Sequence, residues 1–348
     1  MDGILRTIDA NLNRAAEGTR VLEDLARYGY DNQPIAAKLK KLRHDIRKTL
    51  AEYSPQCLAE RDAANDVGLA ISKQLTIDGK TSLTELATAN FKRLQEALRV
   101  IEENLKLRGE PERSKLYEQY RFAAYDLEKE FCGEFGVQSK RRRLDTDLYC
   151  LTAAEHSGGR GNLEVVRQLI DSGIKIIQYR EKDKQQREKY EECLKIRELT
   201  AAAGVTFIVN DDIAIALLVK ADGVHIGQDD LPVAKVRELV GAQMIIGVST
   251  HSPAQAQAAV ANGADYIGVG PIYQTFTKKD VCDPVGLTYL EWVANHIDLP
   301  FVAIGGIKAH NIRTVKAHGA QCIALVTEIV GAADIPWQIQ ALRAELNK

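Results

Sequence analysis

From Asp147 to the end of the chain, short apolar runs alternate with amphipathic segments eight times over. The runs are Leu148–Thr152, Ile174–Tyr179, Thr206–Asn210, Gly223–Ile226, Ile245–Val248, Tyr266–Val269, Phe301–Ile304 and Cys322–Val326. All are too short for helices and most are rich in β-branched residues, so each reads as a strand covered on both faces. Helical patterns fall between them near 162–172, 186–203, 212–219, 232–240, 253–262, 287–296 and 309–318, with a last one near 335–346. Eight strand–helix units in roughly 200 residues is the arithmetic of a compact (β/α)8 TIM barrel. A doubly wound open sheet would usually have fewer strands and a Gly-rich first turn, and no such turn follows Leu151-Thr152.

Barrels of this kind carry their chemistry at the C-terminal ends of the strands. Those ends hold Gln178, Arg180 and Lys182 after strand two, Asn210-Asp211-Asp212 after three and Gln228-Asp229-Asp230 after four. Ser249-Thr250-His251 follows strand five, Gly270-Pro271 and then Thr275-Phe276-Thr277-Lys278 strand six, Gly305-Gly306 strand seven and Val326-Thr327 strand eight. Gln178, Arg180 and Lys182 alternate along an extended chain and so point one way, while Glu181 points the other. An amide and two cations on one side of a strand tip suit a polyphosphate. Asp211 and Asp230 offer the hard oxygen ligands that Mg²⁺ takes together with substrate phosphate and water. Arg180, Lys182 and Lys278 can neutralise phosphate oxygens, and Gly305-Gly306 lies where barrels build a phosphate site from backbone N–H groups. Individually, Asp211 or Asp212 serves equally well as a helix cap, and His225, inside a strand, reads as a structural histidine. It is their coincidence on one barrel face that points to a site.

Residues 1–137 carry no convincing strand and read as an all-α bundle, with helical spacing through Leu5, Ile8, Leu12, Thr19 and Leu22, then near 35–53, 82–107 and 111–131. An internal repeat runs through this half. Asn11, Arg14, Glu17, Arg20 and Glu23 recur as Asn90, Arg93, Glu96, Arg99 and Glu102, and each copy continues into a second helix with Arg43 or Arg121 near its middle. Two copies imply a pseudo-two-fold bundle, since a solenoid needs three or more. The spaced arginines and glutamates form either a salt-bridged face or an anion site completed by Arg61, Asp62 and Asp66. No Walker A loop and no Gly-x-Gly-x-x-Gly occurs here. Between the halves, 138–146 contains Ser139-Lys140-Arg141-Arg142-Arg143, read as a solvated basic linker ahead of a barrel domain at 147–348.

A net charge of −2 gives no case for nucleic acid or an acidic membrane surface, and no apolar run approaches the roughly 20 residues of a membrane span. The first residues lack the basic-then-apolar order of a secretory signal. The six cysteines form no Cys-x-x-Cys pair, so free thiols in a reducing cytoplasm are expected. A homo-oligomer is compatible with all of this.

Taken together, Gln178-Tyr179-Arg180-Glu181-Lys182, Asn210-Asp211, the stretch 223–232, Gly247-Val248-Ser249-Thr250-His251, the stretch 270–278 and Ala303-Ile304-Gly305-Gly306-Ile307 resemble thiamine-phosphate synthase over about residues 145–345. The resemblance implies a Mg²⁺-dependent transferase that joins hydroxymethylpyrimidine diphosphate to thiazole phosphate carboxylate and releases pyrophosphate and CO₂. It implies that Gln178, Tyr179, Arg180, Glu181, Lys182, Asn210, Ser249 and Lys278 hold the pyrimidine diphosphate, with Arg180, Lys182, Ser249 and Lys278 catalytic. It assigns Mg²⁺ to Asp211 and Asp230, and thiazole phosphate to Thr275, Phe276, Thr277, Gly306, Val326 and Thr327. Two positions depart from the family: Thr327 stands where Ser is common, and Asp212 where Arg is frequent. The front half resembles the hydroxymethylpyrimidine-phosphate kinase family through Arg14 to Asp24 and Asp66-Val67-Gly68. The competing expectations are a thiazole tautomerase or a non-enzymatic thiazole-phosphate sensor on the same barrel, with the helical half as a dimerisation module.

Overall fold

The computed structural model describes residues 3–61, 83–277 and 282–348, so Asp62, Asp66-Val67-Gly68 and Lys278 lie outside the described residues. The chain divides into two compact units, 1–138 and 139–348. Among the described residues of the first unit there are only helices: α1 (Gly3–Asp24), α2 (Gln33–Thr49), α3 (Ser54–Glu60), α4 (Leu83–Leu107) and α5 (Pro111–Leu144), the last running on past the unit's end. Helix α1 leaves through a π-helical turn at Leu25–Gly29, and the Asn32 side chain caps α2 by accepting from Ile35 N at 3.0 Å.

The sequence repeat is a structural one. Asn11 and Asn90 each donate to the carbonyl four residues back, Thr7 O at 2.9 Å and Leu86 O at 2.8 Å. Glu23 is buried and accepts from Arg20 at 3.4 Å and Arg43 at 3.0 Å. Its counterpart Glu102, equally buried, accepts from Arg99 at 2.8 Å and Arg121 at 3.1 Å. A carboxylate taken out of water needs such partners. These two triads place Arg20, Arg43, Arg99 and Arg121 in a salt-bridged face, and Arg61 is held by Asp9 through two bonds of 2.8 Å. Helices α1 and α4 meet closely at Gly18, where a Cβ would lie 3.2 Å from Asn90 O. Ile8, Leu22, Ile35, Leu39, Phe91, Leu94, Leu98, Tyr117 and Phe131 fill the core.

The second unit is a closed barrel of eight parallel strands in sequence order. They are β1 (Leu148–Leu151), β2 (Ile176–Tyr179), β3 (Thr206–Asn210), β4 (Gly223–Ile226), β5 (Ile245–Thr250), β6 (Tyr266–Val269), β7 (Phe301–Ile304) and β8 (Cys322–Leu325). Four match the sequence expectation residue for residue, and the others shift by one or two at an end. Alternation sorts each strand into two populations. One set, including Cys150, Ile177, Tyr179, Phe207, Val209 and Ile246, packs with the surrounding helices. The other, Tyr149, Leu151, Ile176, Ile208, Ile245, Tyr266, Val302, Cys322 and Ala324, fills the barrel interior.

The basic run 139–143 is not a solvated linker. It is the last turn and a half of α5, and Leu144 at its end joins the barrel-interior cluster. Lys140 is only 8% exposed and bonds both oxygens of Asp265, at 3.0 and 3.2 Å, just before β6. Arg143 pairs with Asp222 at 2.5 Å, just before β4, and Arg141 with Asp298. The cations meet acids that precede strands, at the barrel's N-terminal end, a pairing no local charge count reveals. Burial pulls the Lys140 ammonium below its ordinary value, with the Asp265 carboxylate opposing it.

Candidate functional site

The ends of β2 to β8 build the mouth. Gln178, the last inward residue of β2, is 3% exposed and donates from Nε2 to Tyr149 Oη at 2.8 Å. Arg180 follows half-buried; its backbone N–H donates to Thr152 Oγ1 at 2.9 Å, and its guanidinium has no partner among the described residues. Lys182 pairs with Asp211 Oδ2. Asp211 sits in the left-handed region at φ 60°, a conformation that costs a non-glycine residue about 1 kcal/mol or more, and its N–H donates to His225 O at 2.8 Å. Asp212 beside it caps the helix Ile213–Leu218 by accepting from Ile215 N at 3.3 Å. The carboxylate standing where the family often has arginine thus has a structural task. Asp230, after β4, accepts from Gly227 N at 2.6 Å.

Tyr179 and Glu181 send their side-chain hydrogen bonds away from this group. Tyr179 Oη donates to Glu192 Oε2 at 2.7 Å in the helix layer, and burial and that carboxylate raise its pKa. Glu181 Oε1 accepts from Ala154 N and from Asn162 Nδ2, each at 2.9 Å. Both follow from alternation along the strand, and both anchor the tip that carries Arg180 and Lys182. Glu181 nonetheless lines the cavity at the mouth together with Lys182, Asn210 and Asp211.

On the other side, Thr275 and Thr277 hydroxyls lie 3.3 Å apart with Phe276 between them, 86% exposed. Gly305 and Gly306 take φ 104° and 64°, and a Cβ would sit 2.5 Å from Pro271 Cβ or from Gln274 O, respectively. Glycine is required at both, because the loops after β6 and β7 touch backbone to backbone here. Val326 leads into the short helix Thr327–Val330, and Thr327 Oγ1 accepts from Lys308 Nζ at 3.2 Å. Lys308, which also pairs with Glu328 at 3.1 Å, was not marked by the sequence reading; a cation two residues past Gly305-Gly306 was its only signal.

Ser249, at the end of β5, receives the second feature not read from sequence. Its Oγ lies 2.9 Å from His225 Nε2, His225 Nδ1 lies 2.8 Å from Tyr266 Oη, and Tyr266 Oη lies 2.8 Å from Tyr149 Oη. With Gln178 this is one polar chain crossing the barrel. Among the described residues no three His, Cys, Asp or Glu side chains gather into a metal cage. Asp211 and Asp230 nevertheless fit Mg²⁺, which takes one or two carboxylates and completes its shell with phosphate and water. They flank neighbouring strands, and each has one carboxylate oxygen outside the bonds just described.

Fold and mouth define a (β/α)8-barrel enzyme with cations, carboxylates and hydroxyls gathered at the strand ends. The thiamine monophosphate synthase family model matches residues 148–329, and the ThiD2 family model matches 6–130. A thiamine-phosphate synthase of Pelotomaculum thermopropionicum is 68% identical over 205 residues, 59% of this chain and 94% of that protein. One of Nostoc punctiforme is 37% identical over 345 residues, 99% of this chain and 95% of that one. The solved thiamine phosphate pyrophosphorylase of Pyrococcus furiosus superposes with a TM-score of 0.54 at 33% identity, covering 59% of this chain and 98% of that one. The chain belongs to the thiamine monophosphate synthase family, as a transferase of thiamine biosynthesis with a ThiD2-family N-terminal half.

Proposed function

We propose that the barrel condenses hydroxymethylpyrimidine diphosphate with thiazole phosphate, with or without its carboxylate, in a Mg²⁺-assisted dissociative substitution that releases pyrophosphate, and CO₂ as well when the thiazole carries the carboxylate. The observation that carries this is the convergence of Arg180, Lys182, Asp211 and Ser249 on one mouth beside the buried amide of Gln178. Departure of pyrophosphate places negative charge on the leaving oxygens and positive charge on a methylene conjugated to the aminopyrimidine. Arg180 and Lys182 at the mouth neutralise the former, which is electrostatic stabilisation of the leaving group; Lys278, which lies outside the described residues, is assigned to the same task by the family motif alone. Bound Mg²⁺, held by Asp211 and Asp230, would neutralise diphosphate oxygens. Thr275, Thr277, Gly306 and the Val326-Thr327 turn hold the thiazole phosphate, so that its ring nitrogen meets the cation in place. No protein nucleophile takes part.

The N-terminal half, in this reading, phosphorylates hydroxymethylpyrimidine phosphate and so supplies the diphosphate that the barrel consumes; the support is its family match. Purified full-length protein given both barrel substrates should form thiamine phosphate with Mg²⁺ and lose that activity to a chelator. No product with Mg²⁺ present rejects the synthase reading, and full activity in chelator rejects the metal. Given ATP and the pyrimidine monophosphate alone, absence of diphosphate rejects the kinase.

A further inference from the structure

We propose that Tyr149, Tyr266 and His225 form a one-way hydrogen-bond relay that fixes the Ser249 hydroxyl as a donor into the barrel mouth and couples it to Gln178 across the barrel. The direction follows from counting protons. Gln178 presents Nε2, which can only donate, to Tyr149 Oη at 2.8 Å. Tyr149 and Tyr266 are 2% and 0% exposed, so each phenol proton must go to a protein acceptor. Tyr149 accepts from Gln178 and therefore donates to Tyr266 Oη, its other partner, at 2.8 Å. Tyr266, having accepted from Tyr149, donates to His225 Nδ1 at 2.8 Å. A ring whose Nδ1 accepts carries its proton on Nε2, and Nε2 faces Ser249 Oγ at 2.9 Å. Ser249 thus accepts from His225 and must send its own proton elsewhere.

Burial keeps both phenols well above their ordinary pKa, so neither ionises and interrupts the sequence. The barrel makes room for the relay: a Cβ on Gly247 would lie 2.4 Å from Tyr266 Oη, and a Cβ on Gly268 would touch His225 Cε1 at 3.4 Å. Two ends of one chain cannot choose their roles separately. With one Nε2 proton committed to Tyr149, Gln178 still offers Oε1 to a ligand donor, while Ser249 selects a ligand acceptor. An aminopyrimidine offers both, an amino group and a ring nitrogen lone pair. Tyr149 and Tyr266 are thereby positioning residues, acting through Gln178 and through His225 and Ser249. The substrate side of this inference rests on the synthase reading; the relay itself does not.

Two measurements on the full-length protein test it. Tyr149→Phe and Tyr266→Phe keep the rings and remove the hydroxyls. Each should lower kcat/KM for the pyrimidine diphosphate by about tenfold, the worth of one well-made buried hydrogen bond, with KM for thiazole phosphate unchanged. The double variant should be no worse than the poorer single one, because a single chain is broken only once. Losses that multiply, or that fall equally on both substrates, would mean two independent packing roles and overturn the relay. Nitrogen-15 NMR of the His225 ring in the substrate-free wild type reads the polarity without any turnover. The Nε2–H tautomer is expected, and an Nδ1–H ring overturns the proposal even in a fully active enzyme. A wild-type protein that makes no thiamine phosphate yet shows the Nε2–H tautomer would remove the synthase reading and leave the relay standing.

Discussion

Replacing Gly247 by alanine tests whether Tyr266 crosses the barrel as described. The added Cβ would lie 2.1 Å from Tyr266 Cζ, 2.3 Å from Cε1 and 2.4 Å from Oη, all far inside contact distance. Tyr266 is fully buried among interior side chains and cannot simply swing into solvent. One extra methyl in a packed core costs about 1–3 kcal/mol through forced shifts. Moving the ring also breaks its bonds to Tyr149 and His225, at about 1 kcal/mol each. The substitution should therefore destabilise the barrel by about 3–5 kcal/mol. Both tryptophans, Trp292 and Trp337, lie in the barrel unit, so their fluorescence during urea unfolding follows that unit rather than the helical half. Pairing Gly247→Ala with Tyr266→Leu should restore part of the stability by vacating the space, while activity stays low. A loss under about 0.5 kcal/mol, the size of an ordinary surface change, would refute the packing argument.

Lys140→Met should destabilise the barrel by about 1.5–3 kcal/mol, because it removes a buried charge-assisted pair; Asp265 keeps Arg237 and the N–H of Ile246. An unchanged urea midpoint would mean that the basic run is solvated after all. Arg180→Ala should lower kcat by about 10² with KM for thiazole phosphate unchanged. Tyr179→Phe, one residue away, should cost about 1 kcal/mol of stability through the lost Glu192 bond and leave kcat intact; an effect of Tyr179→Phe on kcat as large as that of Arg180→Ala would reverse the assignment of faces. In the helical half, burial acts to raise the Glu102 carboxyl, but Lys106, Arg121 and Arg99 outweigh it and hold its pKa below the ordinary 4.5. A depressed folded pKa contributes stability above 4.5 that is lost as pH falls through the lower folded value. Thermal melts of residues 1–138 followed within the whole chain by hydrogen exchange should show this acid loss, and Glu102→Gln should flatten it; an equally steep loss in the variant would assign it to other groups.

Local sequence determined a great deal of this protein. Strand length, helical spacing and the order of the units specified the barrel, since each short apolar run must be covered on both sides by the helices between them. Alternation after β2 separated Gln178 from Tyr179 and Arg180 from Glu181, because side chains on an extended chain point in opposite directions. The charges favoured the Gln178 and Arg180 set for the mouth; the partners came only with closure of the sheet, which sends Tyr179 to Glu192 and Gln178 to Tyr149. The repeat of arginine and glutamate likewise left a ligand site and a salt-bridged face both open; the buried Glu23 and Glu102 account for Arg20, Arg43, Arg99 and Arg121 alone. Contacts between residues far apart in the chain were invisible. Tyr149 and Tyr266 carry no signal beyond their places in strands, His225 reads as a structural histidine, and Lys140 as part of a solvated linker. Each acquires its role from a partner on a distant strand, or on the loop before one, which only the closed barrel brings within hydrogen-bond reach.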